Sequence, residues 1–174
     1  MPTSALHYPF KRDLSNSFEF SNELKKFIKD TTGLKCIDTK IHKEPDLLLY
    51  NQDDVLIARI EAKFLEGKAF MKVGKMLSDR LYPKEVLVVD EPKLLSYFEC
   101  KQNDYTNFNK EIPLFVVWKF DRPCADVGGI TLFQEINILK EIYLKKGASR
   151  KFTRRTAASD YNSGRRMGVI DKFH

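Results

Sequence analysis

The stretch Val55-Leu56-Ile57-Ala58-Arg59-Ile60-Glu61-Ala62-Lys63-Phe64 constrains the fold more than any other in the chain. Side chains along a strand alternate between the two faces of its sheet. The even positions Leu56, Ala58, Ile60, Ala62 and Phe64 are all apolar and define one face turned to a core. The odd positions begin apolar with Val55 and Ile57, then become Arg59, Glu61 and Lys63. A strand buried on both faces must pair such charges or give them a cation to hold. The pattern therefore predicts a strand over 55–64 whose far end carries chemistry.

A second strand is predicted over Pro45-Asp46-Leu47-Leu48-Leu49-Tyr50-Asn51, and the turn formers Asn51-Gln52-Asp53-Asp54 join the two as a hairpin. A two-residue loop, or a four-residue loop pairing Tyr50 with Val55, sets Asp46 opposite Arg59. Asp46 then shares a face with Glu61 and Lys63, diagonal to Glu61 with Cβ atoms ~7–8 Å apart. Carboxylates at that spacing can hold one divalent cation between them, at roughly 2.1 Å per oxygen for magnesium. A three-residue loop reverses the parity and sends Asp46 to the other face.

Around the hairpin the pattern alternates. Phe20, Leu24, Phe27 and Ile28 recur at helical spacing from Ser15 or Ser17 to Thr31, and Gly33 supplies a stop. A strand is expected over 34–42, a helix from Gly67 to just before Pro83, and a buried strand over 85–90. Pro92–Cys100 reads as a short helix and Lys101–Glu111 as a polar loop. Further strands are expected over 113–120 and in Gly129–Gln134. An amphipathic helix over 135–147 closes the body through Ile136, Ile138, Leu139, Ile142 and Tyr143. The order implies an α/β domain with a mixed central sheet flanked by helices.

Charge divides the chain. Of its 174 residues, 30 are Lys or Arg and 24 Asp or Glu, a net +6. Residues 148–174 hold seven of the bases (Arg150, Lys151, Arg154, Arg155, Arg165, Arg166 and Lys172) against Asp160 and Asp171, which leaves residues 1–147 near neutral. The sequence thus reads as a domain over 1–147 and a basic tail over 148–174. Such a tail suits a polyanion, most simply nucleic acid, with a solubilising tail as the plain alternative. Three cysteines without zinc-like spacing argue against a disulfide framework or structural zinc. No apolar run is long enough for a membrane helix, and the opening residues lack the apolar core of a secretion signal, so a cytoplasmic protein with no membrane partner is expected.

Pro45-Asp46, fourteen intervening residues, then Glu61-Ala62-Lys63 resembles the signature of the PD-(D/E)xK nuclease superfamily, which includes restriction endonucleases and archaeal Holliday-junction resolvases. The likeness spans about the first ninety residues through their helix-strand-strand-strand-helix-strand order. It implies a restriction-endonuclease-like fold and a metal-dependent nuclease, most simply on DNA, using Mg²⁺ or Mn²⁺. Asp46 and Glu61 would be metal ligands with the Ala62 carbonyl, and Lys63 would orient or help deprotonate the attacking water. Many members add an acid from the first helix, for which Glu23 is favoured over Glu19. Phosphodiester hydrolysis needs charge neutralised and hydroxide produced near neutral pH, which a carboxylate-held cation does.

The basic residues extend this reading. Lys72 and Lys75, with Lys68, lie after the motif where such nucleases often touch DNA backbone. Arg150, Lys151, Arg154, Arg155, Arg165 and Arg166 can track phosphates. Cutting both strands of a duplex invites a homodimer. Two rivals stand beside the nuclease: a nucleic-acid-binding module of the same fold without catalysis, and an interaction protein whose basic tail docks on an acidic partner. The plain reading of the trio itself is Asp46 as a turn cap, with Glu61 and Lys63 as a solvated ion pair.

Overall fold

The computed structural model describes residues 10–66, 73–78, 80–82, 85–121, 129–153 and 165–169. Helix α1 (Phe10–Thr32) opens the fold. Gly33 ends it in the left-handed region at φ +69°, its N–H donating to the Lys29 carbonyl at 2.9 Å. Strands β1 (Lys35–Asp38), β2 (Leu47–Tyr50) and β3 (Leu56–Glu66) follow as an antiparallel meander. The short helix α2 (Val73–Met76) leads to β4 (Leu87–Asp90), α3 (Glu91–Phe108) and β5 (Leu114–Asp121). Then come β6 (Thr131–Glu135), α4 (Ile136–Lys146), a 3₁₀ turn (Gly147–Arg150), β7 (Lys151–Thr153) and β8 (Arg165–Val169).

The main sheet runs β1-β2-β3-β5-β6 and is mixed, because β3 and β5 are parallel while the other pairs are antiparallel. One face meets α1, where Phe20 packs with Leu47, Ile60, Ala62 and Val117, flanked by Leu24 and Ile28. The other face carries the larger core, in which Leu94, Tyr97 and Cys100 of α3 and Ile136 and Leu139 of α4 meet Leu65, Leu114, Val116, Trp118 and Phe120. The α/β class expected of the alternating pattern is what the chain adopts, a mixed sheet between helices.

The hairpin reaches its register by a different route from either loop that favours a shared face. Asn51 N–H donates to the Val55 carbonyl at 3.0 Å, so three residues, Gln52 to Asp54, form the loop. Asn51 Oδ1 accepts the N–H groups of Asp53 and Val55, and Asp54 takes φ +56°. Alone, that loop would put Asp46 on the wrong face. A bulge then intervenes, since Tyr50 pairs with Leu56 whereas Leu49 pairs with Ala58, so Ile57 is the extra residue. Beyond it Leu48 faces Arg59 and Leu47 faces Ile60, a frame that brings Asp46 opposite Glu61 rather than diagonal to it. The three-residue loop reverses the parity once, and the bulge restores it.

Three further elements differ from the sequence reading. Helix α3 continues through the stretch that reads as a polar loop, because only a narrow stripe of it is buried: Leu94, Tyr97, Cys100 and Asp104. Of the helix expected after Gly67, the described part is α2, and residues 67–72 lie outside the described residues. Strand β4 leaves the main sheet and pairs instead with β8, which pairs with β7, in a three-stranded sheet. Parts of the basic segment 148–174 are thereby folded against the body, with Arg166 opposite Asp90 and Arg165 opposite Thr153 in the ladders.

Trp118 joins the two sheets. It is fully buried on β5, and its indole N–H donates to the Val88 carbonyl on β4 at 3.2 Å. Trp118→Phe keeps an aromatic ring but removes that donor and part of the packed volume. It is expected to lower unfolding free energy by about 2 kcal/mol in urea titrations.

Candidate active site

The charged end of β3 lies on the α3 face of the sheet, where its odd positions share the core side of β5: Glu61 is level with Val116 and Lys63 with Trp118. Asp46 stands just before β2. Its backbone N–H donates to Glu61 Oε2 at 3.3 Å, and its own Oδ2 accepts the Ala62 N–H at 3.0 Å. Past the end of β2, side-chain oxygens thus take over from the backbone ladder. Lys63 Nζ lies 3.0 Å from Glu61 Oε1. The Glu61 side chain is only 3% exposed and that of Lys63 16%. The geometry brings Asp46, Glu61 and Lys63 into one cluster.

Electrostatics separate the two acids. Burial raises the Asp46 carboxyl, the nearby Glu61 charge raises it further, and together they place it at about 6. Burial acts on Glu61 in the same direction, but the Lys63 and Lys93 ammoniums and the Tyr97 hydroxyl outweigh it and hold Glu61 below the usual carboxylate range. Two adjacent acids with unlike proton affinities, Glu61 buried and Asp46 half-buried, form a pair that a divalent cation would relieve. Hard oxygen donors of this kind suit Mg²⁺ or Mn²⁺, which keep several waters of their own. Among the described residues no three His, Cys, Asp or Glu side chains are arranged to hold a metal ion together.

Helix α3 supplies side chains that the motif does not include. Lys93 Nζ lies 3.6 Å from Glu61 Oε1, the oxygen that Lys63 also reaches. One turn on, Tyr97 is 1% exposed, and its hydroxyl faces Glu61 without closing a well-formed hydrogen bond. Two turns further, Asp104 binds Arg59 through both carboxylate oxygens, 2.7 Å to Nε and 2.8 Å to Nη2. The remaining Arg59 Nη1 donates to Glu44 Oε2 at 2.7 Å, two residues before Asp46. This buried clamp ties β3, α3 and the loop that delivers Asp46. The sequence held a signal for it. An arginine in a strand with an apolar opposite face needs an acid, and Lys93, Tyr97 and Asp104 recur on one helical stripe.

Other candidate residues stand elsewhere. Glu23 is exposed on α1, where it bonds Lys119 of β5 on the sheet face opposite Glu61 and Lys63, so the structure does not bring it to the pocket. The parity of β3 forces this separation, because α1 packs on Ile60 and Ala62. Glu19 is also exposed. Lys75 is exposed on α2. Arg150 is buried at the end of the 3₁₀ turn rather than offered to a surface ligand. Lys151 is taken up by Glu91 at 2.6 Å and lies over the Tyr143 ring. Lys72, Arg154 and Arg155 fall outside the described residues, and Arg165 and Arg166 are placed by their backbone in β8.

No protein-family model matches the chain, and no curated protein matches it. A solved structure that is similar is Hjc of Archaeoglobus fulgidus, a Holliday junction resolvase from an archaeal hyperthermophile. It is 12% identical, with a TM-score of 0.41 over 88% of this chain and 84% of that one. A likeness of that extent fixes neither activity nor site residues, which rest on the geometry above. No described helix is long and apolar enough to cross a membrane.

Two outcomes follow. Arg59→Met alone strands Asp104 as a buried, unpaired acid and is expected to cost about 3–5 kcal/mol, whereas Arg59→Met with Asp104→Leu is expected to recover most of it in denaturant titrations. In the metal-free chain, carboxyl ¹³C shifts should place the Asp46 titration near 6. Glu61→Gln should lower it without restoring the ordinary value of 3.8, because burial remains. The folded chain takes this proton before the unfolded one does. The carboxyl's contribution to stability should therefore grow as pH falls from about 6 toward 3.8.

Proposed function

We propose that this chain is a divalent-cation-dependent nuclease that hydrolyses phosphodiester bonds in DNA. The observation that carries the reading is the opposition of Asp46 and Glu61 on the α3 face with Lys63 against Glu61, two hard carboxylates and an amine gathered around a buried Glu61. A chain using these residues as a solvated ion pair would have no cause to bury Glu61 almost completely.

The Asp46 and Glu61 carboxylates would hold the cation, with the Ala62 carbonyl as the further donor that the motif implies. When bound, the cation would supply Lewis acidity at the phosphate and a lowered pKa for water. Lys63 would place an ammonium where negative charge grows on the phosphate and would orient the attacking water. The Arg59 clamp would keep Asp46 in place while its surroundings change charge. Lys75 and the basic residues of 148–174 would supply salt-sensitive phosphate contacts, and two copies of the chain would serve the two strands of a duplex.

Plasmid cleavage tests the reading. Supercoiled DNA should be nicked or linearised with Mg²⁺ or Mn²⁺ and left intact in EDTA. Asp46→Ala and Lys63→Ala should each slow cleavage by about a thousandfold or more. DNA binding at low salt with no cleavage under any divalent cation would overturn the hydrolase and leave a binding module of the same fold.

A further inference from the structure

We propose that Lys93 is a second catalytic lysine, which contacts a non-bridging oxygen of the phosphate held at the pocket. The inference rests on the nuclease reading above and concerns a residue outside its motif. Lys63 and Lys93 reach the same Glu61 oxygen, from 3.0 Å and 3.6 Å. A carboxylate oxygen that ligates a divalent cation cannot also keep two ammoniums at that range, since three positive centres would crowd one acceptor. At least one amine must find another anion, and a phosphate in the pocket provides it.

Lys93 is the one free to turn. The Lys63 side chain is 16% exposed and confined to β3, whereas that of Lys93 is 56% exposed. Its Cα is nevertheless fixed, because Leu94 next to it is fully buried. A flexible stem on an anchored base carries a charge from Glu61 to an arriving phosphate at little conformational cost. A second observation points to a ligand in the same space. One turn along α3, the buried Tyr97 hydroxyl faces Glu61 without closing a well-formed hydrogen bond to it. A buried donor left unfilled costs stability, so a polar group entering between α3 and the acids would satisfy it.

The alternative role for Lys93 is to balance the charge of Glu61 and nothing more. Single-turnover cleavage and Mn²⁺ binding, measured on the full chain, separate the two. Lys93→Ala should slow cleavage by about 10- to 100-fold while Mn²⁺ affinity stays within about twofold, and Lys93→Arg should restore most of the rate. Cleavage by Lys93→Ala at the parent rate would overturn the proposal. So would a loss of Mn²⁺ affinity as large as the loss of rate, because Lys93 would then act only through Glu61. Should the parent cleave nothing, the nuclease reading fails and DNA affinity in Mn²⁺ decides for Lys93. About a tenfold loss in Lys93→Ala, absent in Lys93→Arg, supports the phosphate contact, and no loss overturns it.

Discussion

The placement of Asp46 against Glu61 is the constraint from which the remaining features of the pocket follow. Two adjacent carboxylates repel, and each resists ionisation as far as it is withdrawn from water, Glu61 almost wholly and Asp46 in part. The fold meets that cost with charges brought from elsewhere: Lys63 from the same strand, Lys93 and the Tyr97 hydroxyl from α3. It also limits movement. The Ala62 and Asp46 backbone N–H groups bond the two carboxylates reciprocally, and the Arg59 clamp fixes the loop just before Asp46. Burying two more charged groups, Arg59 and Asp104, with Glu44 half-buried beside them, is seldom a route to stability. Their arrangement makes sense as positioning.

Helix α3 gives the pocket its second wall. Its buried stripe runs against β3, so that Asp104 meets Arg59 while Tyr97 and Lys93 meet Glu61. Strand β4 delivers the helix to that place and then takes β8 as its partner, which sets the backbone of a basic strand beside the start of α3. A neutral body and a basic end are therefore not separate modules in space over the residues where both are described.

Much of this was legible in the residues. The alternation in Leu56–Phe64 correctly identified a strand with an apolar α1 face, and helical spacing in Phe20, Leu24 and Ile28 identified the helix that covers it. Two things were not legible. The sequence leaves the loop length open among two, three and four residues; Asn51 closes a three-residue loop, and the bulge at Ile57 restores the shared face. Helix α3 outruns its sequence signal because Lys101–Phe108 is polar overall. Its one buried acid, Asp104, is intelligible only beside Arg59, forty-five residues away. Glu23 satisfied spacing along the chain and not the parity of β3, which places α1 on the wrong side for it.

Stoichiometric Mn²⁺ binding, followed by electron paramagnetic resonance of the free ion, tests most directly whether two strands present one shared cation pocket. The account requires one tight Mn²⁺ per chain, lost in Asp46→Asn and lost equally in Glu61→Gln. Binding that survives either substitution, or a parent chain that takes up no Mn²⁺, would contradict it.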